Sequence, residues 1–395
     1  MRADCELLIL GGGCAGLSLA RELSLFKDSI LKVLILESRS SYENDRTWCF
    51  WKLNQKNSIK NLYTDFKYQW EKLLVKNCNE SVLFSCAERP YQMLPAEHFY
   101  KEAFHTIEKS DKIKIILNGT IEENVQKFEK YWEVKTTKGL FKGRNLIDTR
   151  PNKNLNKNDS LLWQSFYGHE IESTENIFDA SCPQLMNFLP SKKDIFFIYV
   201  LPLSSKRALI EITAFGLDLL SQNDLAGGLL NAVKELTKNA PYTIVRSEYG
   251  TLPMGIRSMP KPIDSSYVRV GIMSGAARPS TGYAFQRIQL WAKLCAKSLN
   301  KFDKPIGHLP DPFITRFMDN LFLKVLRSRP KEAPYLFFSI FKYGNSQSVI
   351  RFLSGEGCLF DFCNIIFSLP TKPFLKELFQ LISFKIKTFK KNFGL

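Results

Sequence analysis

The sequence of 395 residues is poor in residues that bind metals. It has only four histidines, none spaced as H-x-x-x-H, and none of its nine cysteines forms a C-x-x-C pair. Zinc sites draw their ligands from such clusters, so we expect no metal site. The odd number of scattered cysteines indicates reduced thiols in a cytosolic protein.

Long apolar runs and acidic charge are also scarce. No run of 18 uncharged apolar residues appears, so we expect no membrane-spanning helix. The N-terminus leads directly into a strand and a glycine loop, so we expect no signal peptide. The 55 basic residues outnumber the 39 acidic ones, but the lysines are spread along the chain. No basic run alternates with aromatic residues as in nucleic-acid-binding proteins, so we expect a cytoplasmic protein without a nucleic-acid partner.

Aromatic residues are the abundant class. They make up 13% of the chain and include 31 phenylalanines, which indicates a large apolar cavity or an affinity for lipid. With 45% hydrophobic and 24% charged residues, the composition is that of a globular protein, and the length suggests two or three packed units.

The first forty residues contain a β-strand, a glycine turn, an α-helix, a second strand and an acid. The turn carries Gly11, Gly13 and Gly16 in the spacing G-x-G-x-x-G, and the second strand ends at Glu37. The glycines permit a tight turn, a close approach to a pyrophosphate and close packing of the helix, while the acid accepts from ribose hydroxyls. This pattern predicts a site for the adenine half of FAD or NAD. The alternative is a glycine-rich turn in an unrelated α/β fold.

Three further segments are candidates for the same site. Arg46 follows Asp45 in a polar loop and either pairs within that loop or reaches a phosphate. A short apolar strand ends at Asp148. A turn containing Gly275 and a Pro-Ser-Thr-Gly stretch ending at Gly282 precede a helix predicted from about residue 283, whose N-terminus either faces a flavin or is a plain connection.

Glu211 is the candidate acid. Residues 195–204 and 207–215 predict two strands joined by a Ser-Ser-Lys turn. Side chains alternate along a strand, so Glu211 shares one face with Leu209, Thr213 and Phe215. A carboxyl group in such apolar surroundings tends to have a raised pKa, and a carboxylic acid that is neutral near pH 7 can donate a proton. The alternative is an edge-strand glutamate that faces water.

Several segments together resemble the flavin-dependent lycopene cyclases, which close β-ionone rings on carotenoids. The resemblance covers nearly the whole chain, with a looser C-terminal third. The matching segments are GGGCAG at 11–16, NDRTWCFW at 44–51, LPAEHFY at 94–100, LIDTRP at 146–151, QSFYGHEIES at 164–173, LMNFLP at 185–190, YVLPLSSKRALIEIT at 199–213, EYGTLPMG at 248–255 and GAARPSTGYAFQR at 275–287.

The resemblance implies an α/β (α+β mixed) fold of the aromatic hydroxylase and geranylgeranyl reductase type. In such a fold a Rossmann-like domain holds FAD, a mixed sheet lines the substrate site, and C-terminal helices cover it. It also implies reduced FAD, NAD(P)H as the reductant, lycopene as substrate, and Glu211 at the family's essential acidic position. Either Glu211 or the reduced flavin delivers the proton. Ile212 and Asn187 stand where relatives often carry acids, so Glu211 is the only acid candidate in its strand, and we assign Asn187 no catalytic role.

On this resemblance we divide the chain into five segments. They are an FAD-binding segment at 1–80, its continuation with a substrate-domain excursion at 81–160, a mixed substrate sheet at 161–250, a return to the FAD domain at 251–300, and a helical cover at 301–395.

The C-terminus predicts a basic amphipathic helix. One apolar stripe runs through Phe374, Leu378, Ile382, Ile386, Phe389 and Phe393, and residues 371–395 carry six lysines and one glutamate. Such a helix is typical of peripheral contact with an anionic membrane, or it packs on the core with a solvated lysine face.

Three alternatives to a β-cyclase remain open at this point. They are a redox flavoenzyme of the same fold, such as a prenyl reductase or a monooxygenase; a non-catalytic carrier; and a cyclase with another ring type or substrate.

Overall fold

The computed structural model describes residues 3–52, 67–122, 125–151, 156–256 and 264–380. The strands, in chain order, are β1 Cys5–Leu10, β2 Val33–Leu36, β3 Thr47–Trp51, β4 Tyr68–Trp70, β5 Lys72–Lys76, β6 Ser81–Ser85, β7 Tyr91–Pro95, β8 Ile113–Ile116, β9 Gln126–Lys127, β10 Trp132–Thr136, β11 Gly139–Asp148, β12 Ser160–Ser173, β13 Gln184–Leu189, β14 Ile195–Pro202, β15 Arg207–Gly216, β16 Tyr242–Ile256 and β17 Tyr267–Arg269. The helices are α1 Cys14–Ser24, α2 Ala96–Ile107, α3 Gln222–Thr237, α4 Phe285–Phe302, α5 Phe313–Ser328, α6 Ala333–Tyr343, α7 Ser346–Leu353 and α8 Leu359–Ser368. Residues 371–380 are also helical.

The first sheet has the order β8-β2-β1-β11-β10-β9, with β17 also paired to β11. Strands β8, β2, β1, β11 and β17 are parallel to one another. Helices α1, α2 and α4 pack together with the apolar side chains of this sheet into one core. The predicted strand–turn–helix–strand unit is confirmed as β1, α1 and β2.

The second sheet has the order β16-β12-β15-β14-β13-β5-β6 and is antiparallel except where β13 meets β5. Helix α3 covers one face. Helices α5 to α8 pack with the other face, in a core that also takes in β4 and β7 of a small antiparallel sheet of order β3-β7-β4. The predicted α/β architecture, with a Rossmann-like sheet, a mixed second sheet and C-terminal helices, is therefore confirmed. The five-segment division stays a prediction; β5 and β6, at 72–85, lie in the second sheet.

The C-terminal helix begins against the core. Phe374 packs on Phe322, with ring centroids 6.2 Å apart, while Leu375 and Phe379 are exposed. For Phe374 the core-packing alternative therefore holds. The rest of the predicted stripe beyond Leu378 lies outside the described residues. In the part of the chain that the structure describes, no helix is both long and apolar enough to cross a bilayer.

Candidate functional site

The glycine turn between β1 and α1 has the geometry that its sequence predicts. Gly11 has a φ of 97°, in the region that favours glycine. A Cβ on Gly16 would lie 2.1 Å from the carbonyl oxygen of Gly11, so only glycine lets the helix approach the turn. A Cβ on Gly13 would meet nothing closer than 3.7 Å, because this residue faces an open cavity.

Glu37 is buried at the end of β2 and is tied to this turn. Its carboxylate accepts hydrogen bonds from the backbone N–H of Gly12 at 2.6 Å and of Arg39 at 2.8 Å. Burial alone would raise the pKa of Glu37, but the N–H groups and guanidinium of Arg39, with the Gly12 N–H, hold it below its usual value. Glu37 is therefore an anion placed beside the helix N-terminus.

Arg39 is a residue that the sequence pattern did not single out. Its guanidinium contacts Glu37 at 3.2 Å, donates to the hydroxyl of Tyr100 at 3.2 Å and lies 4.7 Å from the ring centre of Tyr42. It lines the same cavity as Gly13 and Glu37. The only sequence signal was its position two residues after the acid.

Asp148 lies at the end of β11, as predicted, but it does not line the cavity. Its carboxylate accepts from the guanidinium of Arg150 at 2.8 and 2.9 Å and from the hydroxyl of Tyr267 at 3.1 Å. Burial acts to raise the pKa of Asp148, and the bonds from Arg150 lower it below the ordinary value. The cavity is lined by Arg150 and its neighbour Thr149 instead, so Asp148 orients an arginine.

The remaining predicted cofactor residues are divided between the cavity and its surroundings. Arg46 lines the cavity and donates to the carbonyl oxygens of Tyr249, at 2.9 Å, and of Asp45. Gly282, with a φ of 73°, also lines it. Gly275 has a φ of 90° but is not part of the wall; its carbonyl oxygen accepts from Arg287 at 3.3 Å. The predicted helix begins at residue 285, and its first turn faces the cavity.

The cavity has a volume of about 1080 Å³ and extends from the glycine turn to the second sheet. Its far wall is mainly apolar and aromatic. Trp48, Phe215 and Phe285 all line it. Other wall residues are Phe166, Phe197, Phe322, Phe337, Phe341 and Phe374.

Glu211 lies in this wall, and the predicted alternation of β15 is confirmed. Leu209, Thr213 and Phe215 line the cavity with it, whereas Ile212 and its neighbours on the opposite face pack on α3. Strand β15 is central, between β12 and β14, and Glu211 is only 8% exposed. The alternative of an edge-strand glutamate facing water is therefore wrong.

The surroundings of Glu211 favour its neutral form. Burial, followed by the nearby carboxylate of Glu248, raises its pKa to about 8, against a small opposing effect of Thr213. The Thr213 hydroxyl donates to Glu211 Oε1 at 2.6 Å, and no other hydrogen bond to this carboxyl occurs among the described residues. At pH 7 most of the Glu211 population carries a proton and can donate it.

Glu248 is a second buried acid in the cavity that the sequence pattern did not identify. Its Oε2 accepts from the Thr47 hydroxyl at 2.8 Å and from the Arg246 guanidinium at 2.6 Å. The residue belongs to the EYGTLPMG segment, but nothing local marks it as a neighbour of Glu211, because the two lie 37 positions apart.

One buried phenol, two half-buried phenols and a half-buried thiol lie beside the acids. The hydroxyl of Tyr91 is 3.0 Å from that of Tyr199 and 3.5 Å from that of Tyr283. Burial raises the pKa of Tyr91 and Tyr199 far above the ordinary value, and raises those of Tyr283 and Cys49 to about 12. These groups stay neutral near pH 7. Across the described residues, no cluster of His, Cys, Asp and Glu side chains has the arrangement of a metal site.

Solved structures with similar folds are flavoprotein-type enzymes. A geranylgeranyl bacteriochlorophyll reductase-like protein from Thermoplasma acidophilum aligns with a TM-score of 0.58 at 14% identity, covering 95% of each chain. The p-nitrophenol 4-monooxygenase of Pseudomonas putida aligns with a TM-score of 0.62 at 14% identity, covering 90% of this chain and 99% of that enzyme. A flavin-dependent brominase aligns with a TM-score of 0.56 at 14% identity, covering 97% of this chain and 99% of the other. At these identities the comparison establishes the fold alone.

The sequence itself gives the family. No curated protein matches the chain. The profile of the family described as "Lycopene cyclase protein" matches residues 6–378. Because that match spans nearly the whole sequence, this chain belongs to the lycopene cyclase family.

Proposed function

We propose that this protein is a flavin-dependent lycopene β-cyclase. It converts lycopene to γ-carotene and then to β-carotene by acid–base chemistry without net oxidation. The observation that carries the proposal is Glu211, a buried acid held neutral in the apolar wall of a cavity whose other end is a dinucleotide-type turn. A hydrocarbon without polar groups needs such a wall for binding and one proton donor for reaction.

The residues at the turn fit the adenine half and pyrophosphate of FAD. Gly13 leaves open space where a side chain would block a phosphate, and the start of α1 directs backbone N–H groups toward it. Glu37 accepts from ribose hydroxyls, and Arg46 and Arg150 supply positive charge along the cavity. When bound and kept reduced by NAD(P)H, FAD would supply negative charge to the cavity.

The substrate binds by burial. Transfer of apolar surface from water contributes about 25 cal/mol per Å², so a forty-carbon polyene has a large driving force to enter an aromatic cavity. Glu211 then donates its proton to the terminal C1=C2 bond, which leaves a tertiary cation at C1. The C5=C6 bond attacks C1, closes the six-membered ring and moves the cation to C5.

Loss of the C6 proton gives the β ring and completes an isomerisation. The Glu211 carboxylate takes this proton and is ready for the other end of the polyene. Until then the cation is sheltered by aromatic faces in the wall. Trp48 and Phe285 are stacked with centroids 5.3 Å apart, and each such face stabilises a cation by about 0.5–2 kcal/mol.

We also propose that the cavity receives its substrate from a membrane, as expected for a hydrocarbon insoluble in water. Phe317, Ile366 and Leu375 line the cavity and are 43%, 49% and 50% exposed, so it reaches the surface at an apolar patch beside the exposed Lys372 and Lys376. We expect the protein to float with anionic lipid vesicles at low salt. A protein that stays unbound at every lipid concentration would contradict this.

Pigment analysis in a lycopene-accumulating bacterium tests the reaction. The wild type is expected to convert lycopene to β-carotene, Glu211→Gln to leave lycopene unchanged, and the control Glu172→Gln, an exposed acid on β12, to behave as wild type. Conversion by Glu211→Gln would make the reduced flavin the proton donor. If folded, FAD-loaded wild type leaves lycopene intact or saturates its double bonds, the cyclase proposal fails in favour of a prenyl reductase.

A further inference from the structure

Glu211 and Glu248 lie in one row across three strands, with only a glycine between them. In the register of the second sheet, Gly168 of β12 is opposite Glu211 of β15 on one side and Glu248 of β16 on the other. Directly opposed residues project to the same face of a sheet, so both carboxyl groups point into the cavity. A Cβ on residue 168 would lie 3.2 Å from the Cβ of Glu211. Glycine therefore leaves the space between the acids free of a side chain.

The two acids have opposite electrostatic surroundings. Glu248 forms an ion pair with Arg246, whose guanidinium also contacts Glu170 and the Thr47 hydroxyl. Both donors to Glu248 reach Oε2, and Oε1 has no donor among the described residues. In the described part of the chain, the one hydrogen-bond donor to the Glu211 carboxyl is the Thr213 hydroxyl.

The other titratable groups that face Glu211 are neutral near pH 7. Tyr199 of β14 is its neighbour in the row on the far side from Gly168, and Cys49 of β3 lies close to both acids. Burial keeps the pKa of Tyr199 and Cys49 above the physiological range. Among the described residues, the charge that raises the pKa of Glu211 is that of Glu248. Its partner Arg246 also pairs with Glu170, which is compensated by Arg207 as well.

We propose that Glu248 is a positioning residue for the catalytic proton: an anion anchored by Arg246 that keeps Glu211 protonated across the open space at Gly168. The inference rests on the proposed function for its catalytic meaning. When Glu211 gives its proton to the substrate, two carboxylates face each other. Recapture of the C6 proton by Glu211 restores one negative charge to the pair, so the repulsion from Glu248 favours completion of each ring closure. The proton that leaves Glu211 and the proton that returns balance, and the substrate is only isomerised.

The test is an infrared titration of carboxyl groups in the FAD-loaded protein without substrate. The C=O band of a protonated carboxyl that is lost in Glu211→Gln reports Glu211. In Glu248→Gln the amide oxygen still accepts from Thr47 and Arg246 while the charge is removed. Glu211 and Glu248 are two strand spacings apart, which is roughly 10 Å. With an effective dielectric constant near 20, a unit charge at that distance shifts the pKa of the other group by about one unit. We therefore expect the Glu211 band to titrate about one unit lower in Glu248→Gln, and unchanged in Glu172→Gln.

A second measurement needs no substitution at Glu248. In Glu211→Gln at pH 7, we expect no band from a protonated Glu248 carboxyl. A persisting band of this kind would place the proton on Glu248 and overturn the proposal, as would an unshifted Glu211 titration in Glu248→Gln. If the titration shifts but lycopene is never converted, the coupling of the acids stands and the proposed function fails. If lycopene is converted and the upper pH limit of activity is the same in Glu248→Gln, Glu248 has no positioning role.

Discussion

Replacing Glu211 by glutamine should stabilise the folded protein while abolishing the reaction. Glutamine has the shape of the neutral acid and its carbonyl oxygen still accepts from Thr213. The carboxyl has a pKa of about 8 in the folded protein against an ordinary value of 4.5. The folded state therefore binds more protons than the unfolded state between these values, and the wild type loses stability as pH rises through this window.

The expected size follows from the two pKa values. At 1.36 kcal/mol per unit, the penalty for keeping Glu211 buried is about 1 kcal/mol at pH 5, about 3 kcal/mol at pH 7 and about 4 kcal/mol at pH 8. Glutamine does not titrate, so the free energy of unfolding of the variant should exceed that of the wild type by these amounts. For a chain of 395 residues, the difference at pH 7 corresponds to a rise in Tm of about 4 °C.

Urea unfolding followed by tryptophan fluorescence at pH 5, 7 and 8, with FAD saturating, measures the free energy of unfolding of both proteins. The control Glu172→Gln should stay within about 0.5 kcal/mol of wild type at each pH, because its side chain is exposed. A Glu211→Gln protein whose advantage does not grow between pH 5 and pH 8 would show that Glu211 is not a buried neutral acid. A gain in stability with loss of activity is the expected mark of a group retained for function.

Three other substitutions test the cofactor end and the core. Glu37→Gln removes an anion expected to bind the ribose and should weaken FAD binding by about tenfold or more, since hydrogen bonds to charged groups contribute about 1.5–3 kcal/mol; unchanged affinity in a flavin fluorescence titration would remove Glu37 from the site. Gly16→Ala places a methyl group 2.1 Å from a backbone oxygen of the turn and should cost about 3 kcal/mol of unfolding free energy. Its control Gly227→Ala, where a Cβ meets nothing within 4 Å in α3, should stabilise by about 1 kcal/mol, and equal effects in urea unfolding would refute the packing argument. Asp319→Ala leaves the buried guanidinium of Arg278, its partner at 3.1 Å, unpaired, and should cost about 3–5 kcal/mol by the same measurement; a loss below about 1 kcal/mol would contradict this.

Local patterns predicted much of the fold because their physical causes are local. The strand at 5–10, the turn with its glycines, and the alternation along β15 follow from steric limits and side-chain period within a few residues. The helix predicted from about residue 283 begins at 285 for the same reason. These are properties that one segment carries by itself.

The contacts between side chains were harder to predict from the sequence. Asp148 was expected at the cofactor, yet its carboxylate accepts hydrogen bonds from Arg150 and Tyr267. Tyr267 lies within reach because β17 pairs with β11. Arg39 lies in the cavity because the loop after β2 folds back on Glu37. Glycine within a strand often marks a close approach of other groups, and Gly168 in QSFYGHEIES was the one sequence signal for the row of acids.

The structure also explains why the second acid of this site comes from another strand. Ile212 occupies the position where relatives often carry an acid beside Glu211, but successive residues of β15 project to opposite faces. Its side chain is 3% exposed and packs against α3, where a Cβ on Gly228 would lie 2.4 Å from Ile212 Cδ1. An acid at 212 would therefore point away from the cavity that contains Glu211. A carboxylate that acts on Glu211 must project from the same face of the sheet. Glu248 does so, because the strand register places it opposite Gly168, on the other side from Glu211.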